Sequence, residues 1–227
     1  QGYNYSLDYA RNRPQGRLPS VKDPVSKQVA IIEHADVRRM LLAQKSYIEG
    51  SMALCFYASS LFEGSRTATI EQGRKDAFTL LDLITPMVKS FPSKYCLRAN
   101  EHAIQILGGS GYIRENPVEQ YYRDNRLNPI HEGTEAIHGL DLLGRKVPMN
   151  SMEGYNALKA QMATTIAEAK QSTTLAPMAA ALEESIKTLD TTTMALLGTL
   201  GKGEVDLGMA NATLYLDVFG RILVSWI

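Results

Sequence analysis

Apolar residues return every three or four positions through almost the whole of this 227-residue chain, and strand-like alternation is scarce. That period matches the turn of a helix and not the two-residue repeat of a strand, so the pattern predicts an all-α architecture. The longest run begins at His34, where Val37, Met40, Leu41, Ile48, Met52, Cys55 and Phe62 mark one face of a long helix ending near Gly64. Phe78, Leu81, Ile84 and Val88 mark a second helix, expected to stop before Phe91-Pro92 because the residue preceding proline is pushed out of helical geometry. Ser93 is then the candidate N-cap of a third, running through Ala99, Ala103 and Ile106 to Gly108-Gly109. Ile137, Leu140 and Leu143 place a fourth between Thr134 and Arg145, and the four together predict an up-and-down four-helix bundle.

The bundle is expected to occupy residues 1–148. Val147-Pro148-Met149-Asn150-Ser151 reads as the boundary, with a proline after the bundle and a capping residue before a new helical pattern. From 151 to 227 the composition shifts toward alanine and threonine, and helices are expected around 152–170, 178–198 and 203–227, forming a smaller accessory domain over 149–227. Pro19 and Pro24 bracket an irregular connection. Gln1 is not an initiator methionine, and Trp226-Ile227 falls inside an apolar helical pattern, so both ends read as cut from a longer chain.

Charge and cysteine content exclude several classes. Twenty-four basic and twenty-four acidic side chains give a formal net charge of zero, so no global field draws in nucleic acid or an anionic membrane. Cys55 and Cys96 are far apart and lack metal-ligand spacing, which argues against a disulfide framework and predicts two buried thiols in a reducing compartment. No stretch approaches the roughly 20 uninterrupted apolar residues of a membrane span, and no signal peptide opens the chain, so a soluble intracellular protein is expected.

Read as residues alone, the candidate chemistry stays open. Glu132, between Pro129-Ile130 and Gly133, is either a solvated carboxylate at a helix start or a base aimed into a pocket, where burial would lift its pKa toward neutrality. Gly108, Gly109 and Gly111 either end a helix or let a ligand approach the backbone. Arg13 is either a solvated charge or a fork for a pyrophosphate. His131 and His138, seven residues apart with no third ligand, do not make a metal site.

Five anchors in fixed order narrow these alternatives: Tyr9-Ala-Arg-Asn-Arg13-Pro-Gln-Gly16, Gln105-Ile-Leu-Gly-Gly-Ser-Gly-Tyr112, Asn116-Pro-Val-Glu119, Arg123-Asp124, and Ile130-His-Glu-Gly-Thr134. Together they resemble the C-terminal signature of the acyl-CoA dehydrogenases. The accessory segment, including Asn211-Ala-Thr-Leu-Tyr-Leu216, resembles the extra helical domain of a subset that includes acetyl-CoA dehydrogenase-like and methylmercaptopropionyl-CoA dehydrogenases.

The resemblance implies an FAD-dependent desaturation of an acyl-CoA thioester in fatty acid metabolism. It places the α-proton base at Glu132 and the backbone that meets the thioester carbonyl at Gly133. Arg13, the turn Gln105, Ile106, Leu107, Gly108 and Gly109, and the segment Thr134, Glu135 and Ala136 take the places of flavin contacts. Thr134 is also positioned to cap the helix that follows, and Glu135 falls where acidic residues favour a helix dipole. His131 stands where the family usually has tyrosine, and no glutamine precedes Ile137, so flavin contacts there are expected to differ. The implied partners are acyl-CoA, further copies of the chain in a dimer or tetramer, and electron-transfer flavoprotein. An acyl-CoA oxidase and a non-catalytic, nucleic-acid-associated scaffold are the rival readings, and the fragment alone is expected to be inactive.

Overall fold

The computed structural model describes residues 1–227 as helices joined by turns, with one isolated antiparallel bridge between Pro14 and Ala30. In chain order the helices are α1 (Gly2–Asn12), α2 (Ala35–Thr67), α3 (Glu71–Leu107), α4 (Gly109–Tyr112) and α5 (Val118–Asn125). They continue with α6 (Glu135–Asp141), α7 (Met149–Ala169), α8 (Ala176–Gly201), α9 (Val205–Met209) and α10 (Ala212–Trp226). A 3₁₀ turn at Ile31–Glu33 precedes α2, and a π turn at Leu142–Lys146 extends α6. The all-α class expected from the periodicity is what the chain adopts.

Two expected helices are one. The break anticipated at Phe91-Pro92 does not occur, and α3 runs for 37 residues through both Pro86 and Pro92. An internal proline costs about 3 kcal/mol by removing a ladder hydrogen bond. The residues around it bury far more: Leu83, Ile84, Met87 and Phe91 are between 0 and 7% exposed, and each such side chain contributes about 1.5–3 kcal/mol. Packing therefore carries the helix through, and Ser93 is a buried residue inside it, not a cap.

The buried face of α2 also departs from the expected stripe. Met40 and Leu41 are buried as predicted, but the seam then follows Gln44, Ser51, Leu54 and Ala58, leaving Met52 at 53% and Phe62 at 50% exposure. Polar residues occupy core positions because they are satisfied locally. The Ser51 hydroxyl donates to the Tyr47 carbonyl, and the Gln44 amide donates to Ser6 Oγ at 3.2 Å. Counting only apolar residues moved the expected face by one position, and Cys55, expected to be buried, is exposed, while Cys96 is half-buried. Phe78, Ile137 and Leu140 are likewise exposed.

The chain forms two compact units, Gln1–Ser51 with Pro92–Pro129, and Met52–Phe91 with Ile130–Ile227. In the first, Ala10, Ile31, Met40, Leu41, Ala103, Ile106, Leu107 and Val118 make the core. Gly2 lets α1 sit against α3, since a Cβ there would fall 2.5 Å from Asn100 Oδ1, and the Asn100 amide itself donates to the Tyr121 carbonyl.

The second unit is organised around α10, which packs on α6 and α8. Gly139 permits the α6 contact: a Cβ there would lie 2.7 Å from the Ala212 carbonyl carbon and oxygen. Lys146, at the end of the π turn, is 6% exposed and ion-paired with Asp82 of α3. Asn150, Ser151 and Met152 all have positive φ, so a left-handed turn precedes the regular part of α7.

Across α7, α8 and α10, Tyr155, Asp190, Thr193 and Tyr215 form a polar chain. Thr193 spends its proton on the Leu189 carbonyl, so it accepts from the Tyr215 hydroxyl at 2.8 Å. The expected helix 203–227 is divided at Ala210–Asn211 into α9 and α10. Val205–Trp226 is long and apolar enough, by length and composition, to cross a membrane, yet Tyr215, Leu216, Phe219 and Leu223 spend the apolar face of α10 on the unit's own core.

Candidate functional site

The residues singled out by sequence fall into two sets, one in each unit. The first unit carries Arg13 and the turn from Gln105 to Gly109. Arg13 ends α1 in an extended conformation, and its backbone is fixed on both sides: its N–H donates to the Tyr9 carbonyl at 2.9 Å and its carbonyl accepts from Ile31 at 2.8 Å. The guanidinium is exposed. Ile106 and Leu107 are 5% and 3% exposed, so their side chains anchor the turn in the core and leave only their backbone for a ligand.

The three glycines of this turn serve different ends. Gly111 is required by packing, because a Cβ would meet the Ile104 carbonyl oxygen at 2.5 Å. Gly108 is required by its backbone, with φ 58°. At neither Gly108 nor Gly109 would a Cβ meet anything within 4 Å. Nothing inside the chain demands a glycine at 109, and both residues lie exposed, so the turn offers bare backbone to an outside group. That arrangement fits a dinucleotide approaching closely.

The second unit carries Glu132 to Ala136. Glu132 is in the left-handed region at φ 56°, where a residue with a Cβ is strained, and Gly133 follows at φ 93°. Thr134 is the N-cap of α6 by backbone position, but its hydroxyl makes no capping hydrogen bond, which leaves it for another partner. Glu135 and Ala136 open the helix. The Glu132 carboxylate is exposed, and the apolar enclosure expected around it is not built by this chain.

Two side chains that sequence reasoning did not assign hold this turn. Lys89 of α3 donates from Nζ to the Gly133 carbonyl at 2.7 Å, and His138 Nε2 lies 3.2 Å from the Glu132 carbonyl. The contact with a carbonyl requires the proton on His138 Nε2. A Cβ at position 133 would fall 2.9 Å from that same nitrogen, so a side chain there would push His138 off the turn, while φ independently favours glycine. Burial pushes the Lys89 ammonium below the ordinary lysine value, while the Glu135 and Glu132 carboxylates oppose the shift. A basic side chain 44 positions upstream in a helical run gave no local sequence signal for this role.

Comparisons with known proteins agree on one relationship. Residues 2–147 match the family described as acyl-CoA dehydrogenase, C-terminal domain, and residues 158–227 match the one described as acetyl-CoA dehydrogenase C-terminal like. A broad-specificity linear acyl-CoA dehydrogenase of Mycobacterium tuberculosis is 30% identical over 100% of this chain and 38% of its own length. A 3-methylmercaptopropionyl-CoA dehydrogenase of Ruegeria pomeroyi is 32% identical, again over 100% of this chain and 38% of its own. The chain thus spans 38% of the length of these curated relatives. Among solved structures, a Bacillus anthracis acyl-CoA dehydrogenase complexed with FAD shares the fold at TM-score 0.74 and 20% identity, covering 98% of this chain and 38% of that one.

Proposed function

The chain belongs to the acyl-CoA dehydrogenase family, and from that premise we propose that it is the C-terminal part of an FAD-dependent enzyme introducing an α,β double bond into an acyl-CoA thioester. The observation that carries this reading is the Glu132-Gly133 turn: a carboxylate on a left-handed backbone, held by Lys89 and His138 and followed by a helix whose N-cap hydroxyl is uncommitted.

Glu132 takes the α-proton, and the backbone at Gly133, bare of a side chain, lets the thioester carbonyl come close. The flavin, when bound, supplies the acceptor for the hydride that leaves the β-carbon, so that an enoyl thioester and reduced flavin result. Arg13 and the bare backbone of Gly108 and Gly109, set by Gln105, Ile106 and Leu107, would receive the pyrophosphate and adenosine end of an FAD held mainly by a neighbouring subunit. Thr134, Glu135 and Ala136 line the flavin ring.

We place the boundary between the bundle and the accessory domain near residue 148. The left-handed turn at Asn150–Met152 and the two family matches, ending at 147 and starting at 158, support it. The family relationship supports a homo-oligomeric assembly. Electron-transfer flavoprotein reoxidises the flavin, the enzyme is intracellular, and the isolated chain does not turn over.

Anaerobic titration of the full flavoprotein with acyl-CoAs of graded length tests the reading. Bleaching of oxidised flavin with formation of an enoyl-CoA is expected. Flavin that no acyl-CoA bleaches contradicts it, and peroxide formed stoichiometrically in air identifies an oxidase instead.

A further inference from the structure

We propose that Lys89 is the positioning residue of the Glu132 turn, fixing the direction of the carboxylate through the Gly133 carbonyl; the proposal rests on the reading of Glu132 as the base. Three observations carry it. The backbone at Glu132 sits at φ 56°, a conformation a residue with a Cβ keeps only where its surroundings over-determine it. The next carbonyl, that of Gly133, is the one Lys89 Nζ holds at 2.7 Å. Lys89 also stands on a stretch of α3 that cannot easily move, flanked by Met87 at 0% and Phe91 at 7% exposure.

The geometry makes the backbone the lever. Return of Glu132 to the ordinary helical region requires rotation by roughly 120° about its N–Cα bond, which swings Cβ and the carboxylate to another side of the chain. The peptide joining Glu132 to Gly133 is held by His138 and the one after Gly133 by Lys89, so both peptides flanking Gly133 have a fixed orientation. The lysine adds what the histidine does not: a cationic donor from a different helix, with Glu132 and Glu135 within reach of its charge. Deleting it frees the second peptide and removes a positive charge from beside the turn. A reacting atom displaced by about 1 Å costs on the order of a hundredfold in rate.

The test uses the full flavoprotein and the variants Lys89→Met, which keeps length without a donor, Lys89→Arg, which keeps a cationic donor, and Glu132→Gln. Expected for Lys89→Met are normal flavin content, nearly unchanged KM, and a flavin-bleaching rate constant lowered roughly 10- to 100-fold. A crystal structure of that variant should show Glu132 out of the left-handed region or distributed between conformers. Lys89→Arg should recover most of the rate, a rescue that a role confined to helix packing would not give. Full activity in Lys89→Met beside an inactive Glu132→Gln overturns the positioning role while leaving the base in place. An unchanged left-handed Glu132 in the Lys89→Met crystal, or no recovery in Lys89→Arg, overturns it as well. An active Glu132→Gln removes the base reading itself, and the positioning role with it.

Discussion

Gly109→Ala separates a glycine needed by a ligand from one needed by the fold. A methyl group at 109 meets no atom of the chain within 4 Å, and the residue opens α4 without positive φ. In the protein without flavin the substitution should therefore stabilise by about 0.4–1 kcal/mol, because alanine loses less freedom on folding than glycine. At about 2–4 °C per kcal/mol for a chain of this size, the melting temperature rises by a few degrees at most. With flavin the same methyl occupies the space in which a phosphate or ribose would reach the backbone. Loss of one hydrogen bond to a charged oxygen costs about 1.5–3 kcal/mol, a roughly 10- to 150-fold weaker Kd.

Gly111→Ala is the contrast. Its Cβ would meet the Ile104 carbonyl oxygen at 2.5 Å and Cα at 2.9 Å, both backbone atoms, so the apoprotein should lose about 1–3 kcal/mol. Apoprotein of each variant is titrated with FAD by the quenching of flavin fluorescence, beside thermal denaturation without flavin. If Gly109→Ala binds FAD with the parental Kd, or destabilises the apoprotein as Gly111→Ala does, the assignment of this turn to the dinucleotide is refuted.

Other consequences lie in the second unit. Gly139→Ala sets a Cβ 2.7 Å from the Ala212 carbonyl and should force α6 off α10, at about 1–3 kcal/mol by denaturant titration; an unchanged midpoint would deny the close contact. Lys146→Met strands the partly buried Asp82 carboxylate and should cost about 3–5 kcal/mol, most of it regained when Asp82→Leu is added, since a paired apolar replacement leaves no orphan charge. Burial pushes the Tyr155 phenol up to about 12 from an unfolded value near 10. The folded state thus holds that proton more tightly: the contribution is complete below pH 10 and disappears as pH rises through about 12. Stability should fall by up to about 1.4 kcal/mol per pH unit in that window for this tyrosine, and Tyr155→Phe should flatten the slope seen by urea titration.

The sequence carried the helical class better than it carried the helices' ends. Period three-to-four apolar spacing was enough for all-α because no competing alternation existed. The break at Pro92 failed because a local cost of one hydrogen bond was set against buried neighbours that only the folded chain reveals, Met87 and Phe91 among them. The stripe on α2 slipped at Ser51 because a hydroxyl bonded within its own helix behaves as a core residue. At the site, Glu132 and Gly133 were legible as a motif, and so was glycine at 108. The left-handed backbone of Glu132 was not, and neither was the hydrogen bond from Lys89 to the Gly133 carbonyl, which spans 44 positions.

Removal of the α-proton of an acyl-CoA by Glu132 can be measured directly. The direct measurement is deuterium uptake from D₂O at the α-carbon of an acyl-CoA whose β-carbon is replaced by sulfur, so that no hydride can leave, using the full flavoprotein and its Glu132→Gln variant. Rapid α-exchange is expected with the parent and loss of at least about a hundredfold in the variant, the scale of general-base catalysis, with flavin content unchanged. Exchange that persists at the parental rate in Glu132→Gln would place the base elsewhere.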